Sequence, residues 1–176
     1  MNIWHDIDPK RVSDQYFDAV VEIPRGGKQK YEMDKDTGYL LLDRVLHTST
    51  HYPANYGFIP LTLADDGDPL DVLILSNEAF IPLSLIPCKP IGVVLMIDDD
   101  ERDEKIIAIA DGDPTYNSYK SINDLPQHVA NEISHFFSVY KQLEGKKAET
   151  KRVGDSLEAS EIIRAGIARY NSTFRR

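Results

Sequence analysis

One cysteine, Cys88, occurs in the chain, so no disulfide can form within it and no cysteine cluster can hold a metal. No apolar run approaches the roughly 20 residues that a membrane-crossing helix requires. Basic residues are in the minority, 20 Lys and Arg against 29 Asp and Glu. The resulting net charge of −9 repels polyanions and argues against nucleic acid as a partner. The opening residues, Met1 to Pro9, lack a basic start followed by an apolar core, so no secretory signal is visible and a cytoplasmic location is expected. No repeat or linker divides the 176 residues, and 41% hydrophobic content suffices for a sizeable core. A single domain over 1–176 is therefore expected. The five histidines share no ligand spacing; His135 reads as a helix packing residue and Cys88 as a structural one.

The first two thirds read as strands. Asp18 to Ile23 alternates up to Pro24, Lys28 to Met33 resumes after a Gly-Gly turn, and Asp36-Thr37-Gly38 forms a hairpin turn leading into Leu40 to Val45. Further strands are expected at Val72 to Leu75, Ile91 to Ile97 and Lys105 to Ala110, a spacing that suggests a barrel or sandwich. In the last third the apolar period lengthens to nearly four. Val129, Ile133, Phe136, Phe137, Tyr140 and Leu143 fall on one helical stripe between Pro126 and Gly145. A second stripe, Ala159, Ile162, Ile163, Ile167 and Tyr170, follows from about Ser156, with Asp155 and Glu158 placed to cap it.

Asp65-Asp66-Gly67-Asp68-Pro69-Leu70-Asp71 gathers four carboxylates in seven residues. Like charges so close repel, and carboxylate oxygens are the donors that Mg²⁺ and Mn²⁺ prefer, so the stretch is either a solvated acidic turn or a divalent-metal site. Pro69 favours an extended backbone at Asp68, which would put Asp66 and Asp68 on one face. A second acidic run, Asp98 to Glu104, is either a charged hairpin tip or a second part of such a site; its spacing is not that of an EF-hand loop. Lys30 and Glu32 share a strand face beyond Glu22-Ile23-Pro24, and Arg44 precedes the constrained Tyr52-Pro53-Ala54-Asn55-Tyr56-Gly57-Phe58-Ile59-Pro60 segment.

Taken with His135 to Glu144, these motifs in order make the chain resemble a family I soluble inorganic pyrophosphatase of bacterial type over about residues 14 to 170. Asp66-Gly67-Asp68-Pro69-Leu70-Asp71 carries most of that resemblance. It implies an α+β, mainly β fold: an OB-like closed five-stranded barrel with additional hairpin strands and two C-terminal flanking helices. It implies Mg²⁺-dependent hydrolysis of pyrophosphate to two phosphates by a metal-activated water, with several ions per site and Mn²⁺ or Zn²⁺ as substitutes. By the family pattern Asp68 is the general base. Asp66, Asp71, Asp103 and Asp98 are metal ligands, and Glu22 and Glu32 outer carboxylates. Lys30, Arg44, Tyr56, Lys105, Tyr140 and Lys141 hold the two phosphates. A homohexamer is expected on the same ground.

Slow attack of water on a highly negative phosphorus centre is the chemistry that such a constellation serves. A different phosphohydrolase acting on nucleotides or polyphosphate could use the same metal cluster, although few basic groups and no base-stacking platform favour a compact substrate. A non-catalytic OB-fold binding module would not fit the charge of −9 if its ligand were nucleic acid.

Overall fold

A computed structural model describes residues 2–175 of the chain. Eight strands and two helices run in the order β1 (Phe17–Ile23), β2 (Gln29–Met33), β3 (Leu40–Val45), β4 (Asn55–Phe58), β5 (Asp71–Leu75), β6 (Leu85–Asp98), β7 (Glu101–Ala110), α1 (Gln127–Val139), β8 (Ala148–Gly154) and α2 (Ser156–Phe174). Strand β1 pairs antiparallel with β4 and also with the first part of β6. The order β1-β4-β5-β7-β6 therefore returns on itself as a ring of five, with β8 added to the outer part of β6 and β2-β3 standing apart as a hairpin. This is the five-stranded barrel with a separate hairpin and two C-terminal helices that the resemblance implied. Within the ring, β5 and β7 are parallel, and their register sets Asp71 opposite Lys105.

Apolar residues run through the ring strands without clear alternation because both strand faces are covered. Leu73 and Leu75 of β5, with Ile107 and Ile109 of β7, pack with Ile133, Phe136 and Phe137 of α1. Their neighbours Val72, Ile74, Ile106 and Ala108 turn to the other side and pack with Ala159 and Ile163 of α2. Cys88 is buried in this second cluster, as a structural thiol should be, and burial pushes its pKa up. The α2 cap is the expected one: the Asp155 side chain accepts from the Glu158 N–H, and Glu158 accepts from the Asp155 N–H.

The structure departs from the sequence expectations in several places. The constrained Tyr52 to Pro60 segment contains β4, a strand not expected there, and β8 was not foreseen. Helix α1 ends at Val139, before a 3₁₀ turn over Gln142–Glu144. Leu143 is therefore thrown off the apolar stripe and is 69% exposed. His135 is exposed as well, since its position on α1 lies beside the stripe that Ile133, Phe136 and Phe137 bury. The acidic run after Asp98 is mostly strand, with Asp99 and Asp100, both at positive φ, making the turn alone. The stretch before Asp71 is a turn rather than an extended segment, with Gly67 at φ 86°, a region open to glycine at no steric cost.

Gly57 marks the tightest strand approach, because a Cβ there would lie 1.8 Å from the Val20 carbonyl oxygen. A Gly57→Ala variant is expected to lose about 3 kcal/mol, the upper part of the usual overpacking range, since backbone rather than a flexible side chain must yield. For a chain of this size that corresponds to a melting temperature lower by about 6–12 °C, which a thermal melt followed by circular dichroism would read.

Candidate active site

A single cavity of about 190 Å³ collects most of the residues singled out above: Glu22, Lys30, Glu32, Tyr56, Asp66, Asp68, Asp71, Asp98, Asp103, Lys105, Tyr140 and Lys141 all line it. Strand register explains the convergence. Asp103 and Lys105 are two apart on β7 and so share a face, while the parallel β5 brings Asp71 beside Lys105. Asp98 ends β6, and Tyr140 and Lys141 meet it from the turn after α1. The hairpin contributes Lys30 and Glu32 from β2.

Lys105 is the centre of the arrangement. It is 3% exposed, and its Nζ donates to the Tyr56 Oη at 2.9 Å and to Asp71 Oδ2 at 2.9 Å, with Asp103 Oδ2 at 3.1 Å. Burial alone would lower its pKa, but Asp71, Tyr56 and Asp103 outweigh that and hold it well above the ordinary lysine value. The Phe137 ring centre lies 5.2 Å from the ammonium, while Tyr56 meets it with its hydroxyl end. Burial and then the charge of Asp71 push the Tyr56 phenol up, so its proton stays in place for donation. Tyr140 is pushed up likewise, chiefly by burial.

On the far wall, Asp98 Oδ2 accepts from Lys141 Nζ at 2.6 Å and from the Tyr140 hydroxyl at 3.1 Å. Its other oxygen, Oδ1, is buried without a hydrogen-bond partner. Glu22 accepts the Met33 N–H at 2.7 Å, yet burial pushes its carboxyl up to about 8. Asp66 is raised too, first by desolvation, against the bond its Oδ1 accepts from the Asp68 N–H at 2.9 Å, and then by the charges of Asp68, Asp71 and Asp103. Lys30 is paired with Glu32, and Lys35 with Asp68.

The structure brings together every residue of the expected set except Arg44. Arg44 turns its Nε to Glu144 Oε1 at 2.8 Å and its Nη1 to Asp43, outside the cavity lining, and its Nε and Nη2 lack well-directed hydrogen bonds. Asp65, the fourth carboxylate of the acidic turn, points to Arg169 at 2.9 Å instead of inward. Lys35 lines the cavity although no spacing in the sequence marks it; it stands just beyond β2, and only the fold carries it to Asp68.

Among the described residues no three His, Cys, Asp or Glu donors are drawn into a ready-made metal cage. Lysines stand among the carboxylates and offset part of their mutual repulsion. The donor set nevertheless fits divalent cations. Asp71 and Asp103 already converge on one positive centre, the Lys105 ammonium, and Asp98 holds a buried oxygen in reserve.

Fold and site together define a class: a small β-ring protein with an acidic, lysine-lined pocket suited to divalent cations and a compact anion. Comparison with known proteins narrows it. The inorganic pyrophosphatase family model matches residues 19–171. A soluble inorganic pyrophosphatase 2 of Chlamydomonas reinhardtii is 43% identical over 97% of this chain and 89% of its own length. An inorganic pyrophosphatase of Caulobacter vibrioides is 47% identical over 90% and 92%. The inorganic pyrophosphatase structure from Thermus thermophilus superposes with a TM-score of 0.89 at 39% identity, covering 97% of this chain and 99% of that one. The chain belongs to the family I soluble inorganic pyrophosphatases.

The raised Glu22 carboxyl has a consequence for stability. Its folded pKa of about 8 lies above the ordinary 4.5, so its contribution is fully present below 4.5 and is lost as pH rises through 8. In metal-free protein, Glu22→Gln, which keeps an acceptor for the Met33 N–H, should gain on the parent as pH climbs from 5 to 9. The relative gain is on the order of 3 kcal/mol. Urea unfolding at several pH values in EDTA would show it, and parallel curves for the two proteins would refute the assignment.

Proposed function

We propose that the protein hydrolyses inorganic pyrophosphate to two phosphates at this cavity. The observation that carries the reading is the ring of lysine and tyrosine donors interleaved with carboxylates around a space of about 190 Å³, which suits a compact, highly charged anion better than a nucleotide. Asp66, Asp71, Asp103 and Asp98 would hold Mg²⁺, with Glu22 and Glu32 outside them and Mn²⁺ or Zn²⁺ as substitutes. The ions would supply charge neutralisation of the phosphate oxygens and acidification of the attacking water.

The remaining work falls to the chain's own groups. Lys30, Lys105 and Lys141 present ammonium groups to the two phosphates, and Tyr56 and Tyr140, kept protonated by burial, donate hydroxyl protons to their oxygens. Arg44 joins them by exchanging Glu144 for a substrate oxygen. Asp68, at the cavity mouth with its side chain 54% exposed, accepts the proton of the attacking water. As charge builds on the leaving phosphate, these fixed donors stabilise it without having to reorganise.

The same reading takes the chain as one catalytic domain over 1–176, cytoplasmic and homohexameric. Exposed Leu41, Leu42 and Val45 on β3 supply apolar surface for subunit contact. Among the described residues no helix is long and apolar enough to cross a membrane. A light-scattering mass six times that of the 19.9 kDa chain is expected, and a monomer mass would remove the hexamer.

Phosphate release from pyrophosphate in excess Mg²⁺ tests the function. Release should stop in EDTA, fall by about 10²–10⁴-fold in Asp68→Asn, and far exceed release from a nucleoside triphosphate in parallel. A folded, metal-loaded protein that leaves pyrophosphate intact would sink the reading.

A further inference from the structure

Each lysine of the cavity is matched to a carboxylate: Lys105 to Asp71 and Asp103, Lys141 to Asp98, Lys30 to Glu32, and Lys35 to Asp68. The first three serve the substrate in the reading above. Lys35 has no role in it, yet it is held as an ordinary surface lysine is not. Its ammonium lies 5.5 Å from the centre of the Trp4 ring, within cation–π range. Trp4 is itself fixed, 4% exposed, with its Nε1 donating to the Thr62 carbonyl at 2.9 Å and its ring stacked on His5. The Lys35 carbonyl in turn accepts from Asn2 Nδ2 at 3.2 Å. Backbone and side chain are thus steered from outside the cavity so that the ammonium meets Asp68.

Lys35 is the counter-charge that the fold sets against Asp68. Asp66 and Asp71 stand beside it in the chain, and the one cation near the start of the turn, Arg169, is engaged with Asp65 outside the cavity. Among the described residues Lys35 is the only cation within salt-bridge distance of Asp68. Entry of divalent ions changes the balance. With several positive charges on the neighbouring carboxylates, the ammonium is no longer required at Asp68 and is repelled by the ions. An anion entering the same cavity attracts it.

We propose that Lys35 is a working residue of this site: it holds Asp68 as an internal counter-cation before metal binds, yields it when divalent ions enter, and then turns its ammonium to the phosphate groups of the substrate at the cavity mouth. The role in substrate binding rests on the pyrophosphatase reading; the pairing with Asp68 does not. Both partners are about half exposed, 48% and 54%, so water screens the pair and the expected effects are severalfold.

Lys35→Met keeps the stem over Trp4 and removes the charge. Calorimetric titration with Mn²⁺, without substrate, should show binding about threefold tighter than in the parent, while the KM for pyrophosphate at saturating Mg²⁺ should rise about threefold. Lys35→Arg should restore both values most of the way. Lys120→Met carries the same charge change on an exposed residue outside the cavity and should move neither. The opposed directions are the signature, because a purely structural loosening would weaken metal and substrate together. Parallel weakening, no change in either constant, a change in only one, or equal shifts in Lys120→Met would each overturn the proposal. If the parent fails to hydrolyse pyrophosphate, the functional reading falls on that result alone, and the Mn²⁺ titration still reports whether Lys35 opposes metal entry.

Discussion

A buried ammonium fixes the geometry of this molecule's cavity. Lys105 sits at the junction of β5 and β7 with almost no access to water, a position that would be prohibitive for a charge without partners. Asp71, Asp103 and the Tyr56 hydroxyl satisfy it, and the Phe137 ring packs against it. Those partners come from β4, β5, β7 and α1, so the ring and the helix covering it must be in place before the charge is compensated. The link runs both ways. The carboxylates tolerate one another because the lysine is between them, and the lysine tolerates burial because they surround it.

The same logic extends outward. Lys141 on Asp98, Lys30 on Glu32 and Lys35 on Asp68 repeat the pairing at progressively more exposed positions, so the cavity wall alternates sign instead of accumulating one. Such a wall can receive cations at its carboxylates and an anion at its ammonium groups, the two demands that a metal-dependent phosphohydrolase makes of one small space. An acidic protein can thereby take an anionic substrate, because the local field and not the net charge of −9 governs what enters.

Much of this was legible in the residues. The capping box at Asp155 and Glu158, the turn at Asp36-Thr37-Gly38 and the two apolar helical stripes are local signals, and each reappears, the first stripe cut short at its C-terminal end. Asp66, Asp68 and Asp71 are neighbours in the chain, which favours a common destination, although the adjacent Asp65 turns outward. Leu143 misled because apolar period alone does not say where a helix stops: α1 ends at Val139, and the following 3₁₀ turn rotates Leu143 into solvent, whereas His135 lies within α1 beside the buried stripe and faces water. β8 was missed because Glu149, Lys151 and Arg152 make it polar, its pairing with β6 being a contact made across the fold. Lys35 was missed for a related reason, since its partner lies 33 residues away.

By itself the sequence determined the local periods, the caps and turns, the acidic and basic groups available, and, through motifs in a fixed order, the family. These depend on backbone preference and on residues near one another in the chain. Only the tertiary structure decided which charges face each other: that Asp71 lies beside Lys105, that Asp65 and Arg44 turn out of the cavity lining, and that Lys35 meets Asp68. Ion pairing in a partly desolvated space depends on separations of a few ångströms between groups brought together by sheet register and helix packing, and no spacing along the chain encodes those separations.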